Sequence, residues 1–221
     1  LKSSRYRSSK LNIGNFKLFE LLINKLQIPQ RWKQRLIKFF WNEKYFSELL
    51  KRLESNLDID PVAVAGDKKM YSKMIKLNQK KIVNGRSYKE IIKRFESKIN
   101  DPRQSETGKK SAKIIKEFLK IKCSLNYAPN VLNKFFKKYD LNIFVNKDFF
   151  PIKNLKIKKT KFVFSTSIGR GTQVEFYSSL IFSLDVKKKN KFVNLISGGR
   201  FDELTSKFLG LKKIPAVGAA V

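Results

Sequence analysis

Three segments in the last quarter of the chain carry residues suited to binding a small charged molecule. They are Gly169-Arg170-Gly171, the pair Glu175 and Tyr177, and Gly198-Gly199-Arg200. An arginine guanidinium grips a carboxylate or phosphate through two parallel hydrogen bonds, and a glycine pair lets the backbone approach a ligand closely. The glutamate suits an ammonium group or a ring nitrogen, the tyrosine suits a wall, and Gly218 on a neighbouring strand leaves space. If these strands form one sheet, the segments converge into a pocket for a small zwitterion or anion.

The composition excludes several kinds of active site. The chain has no histidine and a single cysteine, Cys123. It therefore provides no Ser-His-Asp triad, Cys-His dyad or histidine-ligated zinc, and it forms no intrachain disulfide. We interpret Cys123 as a small core residue. We predict no catalytic residue, no metal and no cofactor, and the low cysteine content suits a reducing cytoplasm.

The charge is strongly positive, with 49 Lys and Arg against 18 Asp and Glu, a formal charge of +31 and a pI of about 10.2. Such a charge indicates nucleic acid or another anionic partner. Lysine is spread along the whole chain, however, and solvated lysines need no partner. The spread favours solvated positions over a dedicated nucleic-acid face, and a basic nucleic-acid-binding module remains an alternative.

The sequence shows no membrane segment, because no stretch approaches the roughly 18 consecutive apolar residues of a transmembrane helix. The basic segment 1–10 leads into no signal-peptide apolar region and has no initiator Met. We therefore expect a piece of a longer, cytoplasmic protein with no membrane partner.

Residues 11–140 have the apolar spacing of helices joined by short loops. Asn15 is a candidate N-cap, Pro29 suits the first turn of a second helix, and Asn42 is a candidate cap of a third. The predicted core faces of these helices are Phe16, Phe19, Leu22, Ile23 and Leu26; Trp32, Leu36, Phe39 and Phe40; and Tyr45, Phe46, Leu49, Leu50 and Leu53.

Three further helices are predicted in the same region. The pattern Ser87-Tyr88-Lys89-Glu90 is a capping box, and Asn100-Asp101-Pro102 ends the helix that it opens. The other two helices are predicted around 106–120 and 129–139. Aromatic stripes at helical spacing are more often core than partner grooves, so we assign these stripes to the core.

From about residue 150 the period changes to that of strands. Strands are predicted at 162–168 and 175–184, with Phe176, Leu180, Phe182 and Leu184 on the core face of the second. Residues 187–190 predict a hairpin tip, and 192–196 return as the partner strand. A short amphipathic helix is predicted around 201–208, followed by a buried strand at 214–221.

The carboxy-terminal segments resemble the histidyl-tRNA-synthetase-like core. Gly169-Arg170 with the run from Glu175 to Phe182 resembles the family signature of Arg, then Asp/Glu-Tyr-Tyr-Thr-Gly and Val/Ile-Phe. Ser197–Leu204 resembles Gly-Gly-Arg-Tyr-Asp-x-Leu, and Pro215–Val221 resembles the start of class II motif 3. In that family these segments line the histidine and adenylate region. The resemblance therefore implies a histidine-like pocket formed by Arg170, Glu175, Tyr177, Gly198, Gly199 and Arg200, to which the strand position of Gly218 adds.

The chain departs from the signatures at several positions. Four residues separate Arg170 from Glu175 where the family has about two, Phe176 replaces a tyrosine, and Ser178-Ser179 replaces Thr-Gly. No motif 2 strand is present, and the arginine that ends motif 3 in active synthetases is absent. An adenylating site cannot be assembled from these residues.

The helical half resembles one branch of this family, the regulatory subunits of ATP phosphoribosyltransferase. The matching residues are Gly14-Asn15-Phe16 with Phe19, then Ile28-Pro29 with Trp32-Lys33, then a third helix ending at Leu49–Leu53. The resemblance implies a non-catalytic subunit in the first step of L-histidine biosynthesis. Such a subunit binds a short-form catalytic subunit in a hetero-oligomer, activates it, and mediates inhibition by L-histidine. A fragment of a catalytic histidine–tRNA ligase is the first alternative.

The resemblance also implies an α+β fold, namely a partial antiparallel sheet of the class II aminoacyl-tRNA-synthetase type with a helical insertion. We divide the chain accordingly into residues 1–10, the end of a sheet-side segment or a tail; residues 11–150, the helical insertion region; and residues 151–221, the carboxy-terminal half of the sheet.

Overall fold

A computed structural model describes residues 8–55, 66, 68–73, 76, 82–83, 86–99, 105–150, 157, 159–170, 177–188, 191–202, 204, 210 and 214–220 of the chain. Its labelled helices are α1 (Phe16–Lys25), α2 (Gln30–Lys38), α3 (Glu43–Glu54), α4 (Tyr88–Ile99), α5 (Ser105–Phe118) and α6 (Ala128–Lys138). Its strands are β1 (Ser9–Asn15), β2 (Ile82–Val83), β3 (Arg86–Ser87), β4 (Lys122–Ser124), β5 (Thr160–Ser165), β6 (Leu180–Lys188), β7 (Lys191–Arg200) and β8 (Val217–Ala220). None of the helices in the described residues is long and apolar enough to span a membrane.

Six of these strands form one sheet in the order β4-β5-β1-β6-β7-β8. The neighbouring pairs are antiparallel except β1 and β5, which run parallel. The predicted α+β class is confirmed. The sheet is mixed rather than wholly antiparallel, because β5 returns to the sheet beside β1 in the same direction.

Strand β1 corrects the prediction of helices from residue 11 onward. Leu11 and Ile13 pair with β5 on one side and with β6 on the other, so β1 is an interior strand of the sheet. Gly14 has no room for a side chain, since an added Cβ would overlap the Ile168 side chain and approach the Ser165 carbonyl oxygen to 2.7 Å. The strand passes into α1 at Asn15 with no intervening loop, so its seven residues lack the usual boundary signals of a strand.

The chain divides into two compact units. Unit 1 comprises Leu1–Leu26, Ile37–Glu43 and Ile114–Val221, and unit 2 comprises Gln27–Leu36 and Lys44–Lys113. These bounds differ from the predicted divisions at 10/11 and 150/151. The assignment of those predicted segments as domains stays a prediction.

Unit 1 has an aromatic core beside the sheet. Phe19 lies 4.4 Å from Phe40 and 6.4 Å from Phe118 between ring centroids, and Phe118 lies 6.2 Å from Phe136. All four rings are at most 1% exposed. The predicted apolar face of α1 is buried along its whole length, as expected for an amphipathic helix whose apolar stripe faces a core.

Unit 2 confirms the predicted capping box at the start of α4. The Ser87 backbone N–H donates to Glu90 Oε2 at 2.9 Å, and the Glu90 N–H donates to Ser87 Oγ at 3.3 Å. Helix α3 also buries its predicted face, with Phe46, Leu49 and Leu53 inaccessible to solvent.

Two predictions about burial in the sheet are wrong. Ile181 is 4% exposed, whereas Phe182 and Leu184, predicted on the core face of β6, are only half-buried. Strand β8 was predicted to be buried, yet Val217 is 76% exposed, and within the described residues β8 pairs with β7 alone. Phe176 and most of the predicted helix at 201–208 lie outside the described residues.

Asn15 is expected to stabilise the junction between β1 and α1. Its Oδ1 accepts from the Lys17 N–H at 3.0 Å, and its Nδ2 donates to the Phe149 carbonyl at 2.9 Å. Asn15→Ala removes both bonds and should lower the free energy of unfolding by about 1–2 kcal/mol. Asn15→Ser keeps the cap acceptor alone and should lose less, as measured by urea unfolding followed by circular dichroism. A serine variant as unstable as the alanine variant would contradict the capping role.

Candidate functional site

Arg170 lies in the turn after β5, where the protein itself engages its guanidinium. Its Nε donates to the Phe40 carbonyl at 3.2 Å, and its Cζ lies 5.6 Å from the centroid of the Phe40 ring. Burial lowers the pKa of this guanidinium, and the charge of nearby Glu43 acts in the opposite direction. Arg170 thus has a cation–π contact and a backbone partner already in place.

The Tyr177 ring packs against the backbone of β7 at Gly199. A Cβ at Gly199 would come within 2.6 Å of the Tyr177 ring and within 2.7 Å of the Leu180 carbonyl oxygen. On its other side the ring meets Trp41 edge-on, 6.3 Å between centroids, and burial raises the pKa of the phenol. Gly169, at φ +80°, holds its backbone against Trp41 in a conformation that glycine adopts without strain.

The other two predicted glycines are also packed by the protein's own atoms. A Cβ at Gly198 would overlap the Gly218 carbonyl oxygen and lie 2.7 Å from Phe182 Cζ. A Cβ at Gly218 would lie 3.0 Å from Phe201 Cε1. The lack of side chains at Gly198 and Gly218 therefore lets β7 and β8 lie close to each other and to two phenylalanine rings. The sequence had predicted close approach to a ligand.

Arg200 lies on the opposite face of the sheet from the Tyr177 contact. Directly paired residues share a face, and Gly199 pairs with Ile181 while Gly198 pairs with Phe182. Because side chains alternate along a strand, Arg200 projects on the Phe182 face. Sequence reasoning joined these residues in one pocket, and the alternation of β7 separates them. Glu175, the sixth residue carried over from the family, lies outside the described residues.

Arg200 is fixed by an ion pair with Asp202. Its Nε lies 2.7 Å from Asp202 Oδ2 and 2.9 Å from Oδ1, and the Ala216 N–H donates to Oδ1 at 3.0 Å. Burial alone would raise the pKa of Asp202. The hydrogen bonds from Arg200 and the Ala216 N–H, with the charges of Arg200 and Lys17, outweigh it and hold the pKa below its usual range. The described part of the chain gives the two terminal nitrogens of Arg200 no partner, so they remain available to a ligand.

Of the residues described above, Gly199, Arg200, Asp202 and Phe182 line a cavity of about 670 Å³ in unit 1, and Arg170 and Tyr177 do not. Lys17 and Arg200 bring positive charge to it, Asp148 and Asp202 bring carboxylates, and Leu180, Phe182, Phe149 and Val217 supply apolar surface, with Asn15, Ser179 and Gly199 completing the wall. Charges of both signs together with apolar surface are the groups that a small zwitterion would contact, and the ligand class stays a prediction.

Sequence reasoning missed Lys17 and Asp148 as cavity residues. The pattern Asn146-x-Asp148 is typical of a turn, and in the structure Asn146 Oδ1 accepts a hydrogen bond from the Asp148 N–H at 3.1 Å. Nothing in the local sequence brings this turn to the cavity. Elsewhere, burial raises the pKa of the half-buried Cys123 thiol. No group of three or more His, Cys, Asp or Glu placed to hold a metal occurs in the described ranges.

The chain is similar over nearly its whole length to curated regulatory subunits of ATP phosphoribosyltransferase. The Brucella anthropi subunit is 23% identical over 225 residues, covering 95% of this chain and 59% of its own length. The Allorhizobium ampelinum subunit is 27% identical, with coverage of 93% and 58%, and that of Rhizobium johnstonii is 28% identical, with coverage of 96% and 60%. The chain thus spans about three fifths of the length of these relatives. No family model matches it.

Solved structures resemble the chain more loosely. Histidyl-tRNA synthetase from Nostoc sp. PCC 7120 is 16% identical, with a TM-score of 0.49 and coverage of 96% of this chain and 39% of its own. A protein from Bacillus halodurans titled an ATP phosphoribosyltransferase regulatory subunit/histidyl-tRNA synthetase is 19% identical, with a TM-score of 0.34 and coverage of 97% and 42%. These superpositions are too loose to carry an argument. The curated relatives confirm the resemblance to the regulatory subunits.

Gly199→Ala should destabilise the protein by about 1–3 kcal/mol, because its Cβ would force Tyr177 and the Leu180 carbonyl apart. Gly66→Ala is the matched control, since nothing lies within 4 Å of a Cβ there. Urea unfolding of both variants measures the difference. Equal stabilities would mean that Tyr177 moves aside freely and is not packed on β7.

The Arg200–Asp202 pair should make stability depend on pH. The pKa of Asp202 is lower in the folded than in the unfolded state, so its contribution is present above the unfolded value of about 3.9 and is lost as pH falls through the folded value. Asp202→Asn should flatten the fall in unfolding free energy at acidic pH, and Arg200→Gln should do the same. Adding the second substitution to the first should change the profile little. Two independent, additive effects would contradict a coupled pair.

Proposed function

The chain is related to the ATP phosphoribosyltransferase regulatory subunits, and we propose that it acts as part of a non-catalytic subunit of that kind, in the first step of L-histidine biosynthesis in the cytoplasm. One observation carries the proposal: eight curated relatives, 23 to 28% identical and aligned over 93 to 97% of this chain, bear that name. The name implies a catalytic subunit as partner. The proposed partner is the short-form phosphoribosyltransferase, held in a hetero-oligomer.

The non-catalytic character has support in the residues themselves. The absence of histidine from all 221 residues removes the commonest general base. Arg170, which matches the arginine of the family signature, is bonded to the Phe40 carbonyl and lies over the Phe40 ring. The condensation of ATP with phosphoribosyl pyrophosphate is therefore assigned to the catalytic partner.

The proposed regulatory ligand is L-histidine, and its proposed pocket includes the cavity beside Arg200. The terminal nitrogens of Arg200 would bind the ligand carboxylate. The Asp202 carboxylate orients this arginine through Nε, and the lining carboxylates offer a partner for the ammonium group. Feedback requires that histidine bind one state of the complex more tightly than the other, because only differential affinity shifts an equilibrium. The family resemblance also proposes Arg170, Glu175 and Tyr177 as ligand residues, but Arg170 and Tyr177 do not line the cavity beside Arg200.

An activation assay tests this function. The full-length gene product that contains this chain is mixed with the short-form phosphoribosyltransferase of the same organism, and phosphoribosyl-ATP formation is followed with and without L-histidine. We expect activation by the subunit and its reversal by histidine. Boiled subunit and an unrelated protein of equal charge serve as controls.

The same assay can also refute the proposed regulatory function. The absence of both activation and co-purification with the catalytic subunit would refute the proposal. Histidine-dependent pyrophosphate exchange by the same gene product would then support the histidine–tRNA ligase alternative, whose adenylating chemistry the regulatory function does not include.

A further inference from the structure

Lysines that are far apart in the sequence meet at one end of the six-stranded sheet. Lys10 is in register with Lys161 across the parallel β1–β5 pair, and Lys188 is in register with Lys191 across the β6–β7 pair. The Lys187 N–H also donates to the Ser8 carbonyl at 3.0 Å, which ties the end of β6 to the start of β1. The even spread of lysine along the sequence predicted no dedicated basic face, yet the strand register gathers lysines at this end of the sheet. Lys10, Lys161 and Lys187 lie on one face, and Lys188 and Lys191 lie on the other.

We define the lysine patch as Lys10, Lys159, Lys161, Lys187, Lys188 and Lys191. Lys10 is half-buried and the other five are exposed. The Lys10 ammonium lies 4.6 Å from the centroid of the Phe192 ring, whose own exposure is 46%. Within the described ranges of the chain, no member of the patch forms an ion pair with a carboxylate.

Little negative charge offsets the patch. Strands β1, β5, β6 and β7 contain one acidic residue, Asp185. Amide groups already occupy its carboxylate: Asn12 Nδ2 donates to Oδ2 at 2.6 Å and Asn194 Nδ2 donates to Oδ1 at 3.1 Å. A bulge between Leu184 and Asp185 brings Asn194 opposite this aspartate. Lys10, although directly opposite Asp185 in the β1–β6 pair, is placed over Phe192 instead.

The lysine patch costs the isolated sheet stability. Like charges directly opposite each other on neighbouring strands are destabilising, and strands lie about 4.8 Å apart. That spacing is shorter than the screening length of about 8 Å at physiological salt, so the lysines of a pair repel one another. A bound polyanion would convert this repulsion into attraction.

We propose that the lysine patch binds the phosphate backbone of a nucleic acid without regard to base sequence. The patch lies along the rim formed by the ends of four strands, and three spacings of about 4.8 Å give this rim a width of about 14 Å. A nucleic acid strand places a phosphate about every 3.4 Å along its axis, so about four phosphates face the patch. Lysine ammonium groups contact phosphates as point charges, and the patch contains no arginine fork to read a guanine edge. The activity goes beyond the proposed regulatory function and does not rest on it.

A pair of charge-matched variants tests the site. The patch variant carries Lys161→Gln, Lys187→Gln, Lys188→Gln and Lys191→Gln. The control variant carries Lys44→Gln, Lys51→Gln, Lys134→Gln and Lys137→Gln, which are exposed positions on α3 and α6. Each variant loses four charges, from +31 to +27. Fluorescence anisotropy with a labelled oligothymidylate of about 20 nucleotides measures affinity across a range of salt concentrations, and circular dichroism checks folding.

We expect the wild-type chain to bind the oligonucleotide with log affinity falling linearly against log salt. The patch variant should bind at least about tenfold more weakly, and its salt slope should fall by about 0.7 for each phosphate that it no longer neutralises. The control variant should change by less than about threefold. Equal losses of affinity in the two variants would overturn the proposal, because they would mean that net charge alone drives binding. No binding by the wild type, or patch-dependent binding of polyglutamate in place of the oligonucleotide, would overturn it too.

A measurement on the wild-type chain keeps the test valid if the patch variant does not fold. Acetylation of lysines by a water-soluble reagent is followed by mass spectrometry, with and without oligothymidylate. Protection is expected at Lys161, Lys187, Lys188 and Lys191 and not at the four control lysines. Uniform protection of both sets would contradict a localised site.

Discussion

The pairing of β1 on both of its edges is the interaction on which unit 1 depends. Seven residues near the start of the described chain join β5, about 150 residues away, to β6, about 170 residues away. These contacts close the longest loops of the sheet, which makes them the entropically costliest to form. Gly14 and Asn15 complete the junction, one by leaving no space between β1 and the turn after β5, and the other by capping α1 and bonding the Phe149 carbonyl.

The helices could be predicted from the sequence because their signals are local. Asn15 as a cap, the Ser87–Glu90 capping box and the apolar faces of α1 and α3 each require residues within one or two helical turns. Strand β1 could not be predicted in this way. Its seven residues merge directly into α1, and its partners come from residues 160–188, so its identity as a strand is fixed only by pairing. The burial of Ile181 in place of Phe182 has the same cause, because a strand's buried face depends on which elements cover the sheet.

At the candidate site, the sequence motifs identified the residues, but the backbone determines where those residues lie and what they contact. The sequence predicted close approach of a ligand at Gly198-Gly199 and space at Gly218. In the structure the rings of Tyr177, Phe182 and Phe201 lie against these glycines. A glycine in the sequence shows that a side chain is absent, but it does not show which atoms fill the space beside that backbone position. The alternation of β7 then decides the geometry, because Gly199 and Arg200 are adjacent in sequence and face opposite sides of the sheet.

Substitutions are expected to have different effects at the two ends of β7. At the carboxyl end of β7, glycines and an ion pair with a partly buried carboxylate leave little tolerance for added volume or lost charge, so substitutions there act on stability and on the shape of the cavity. At the amino end of β7, exposed lysines repel one another around a bulge and pack little, so substitutions there act on charge and leave the core untouched. In a strongly basic chain most lysines are simply solvated and need no anionic partner. The strand register identifies the few that lie directly opposite one another on strands about 4.8 Å apart, and composition cannot make that distinction.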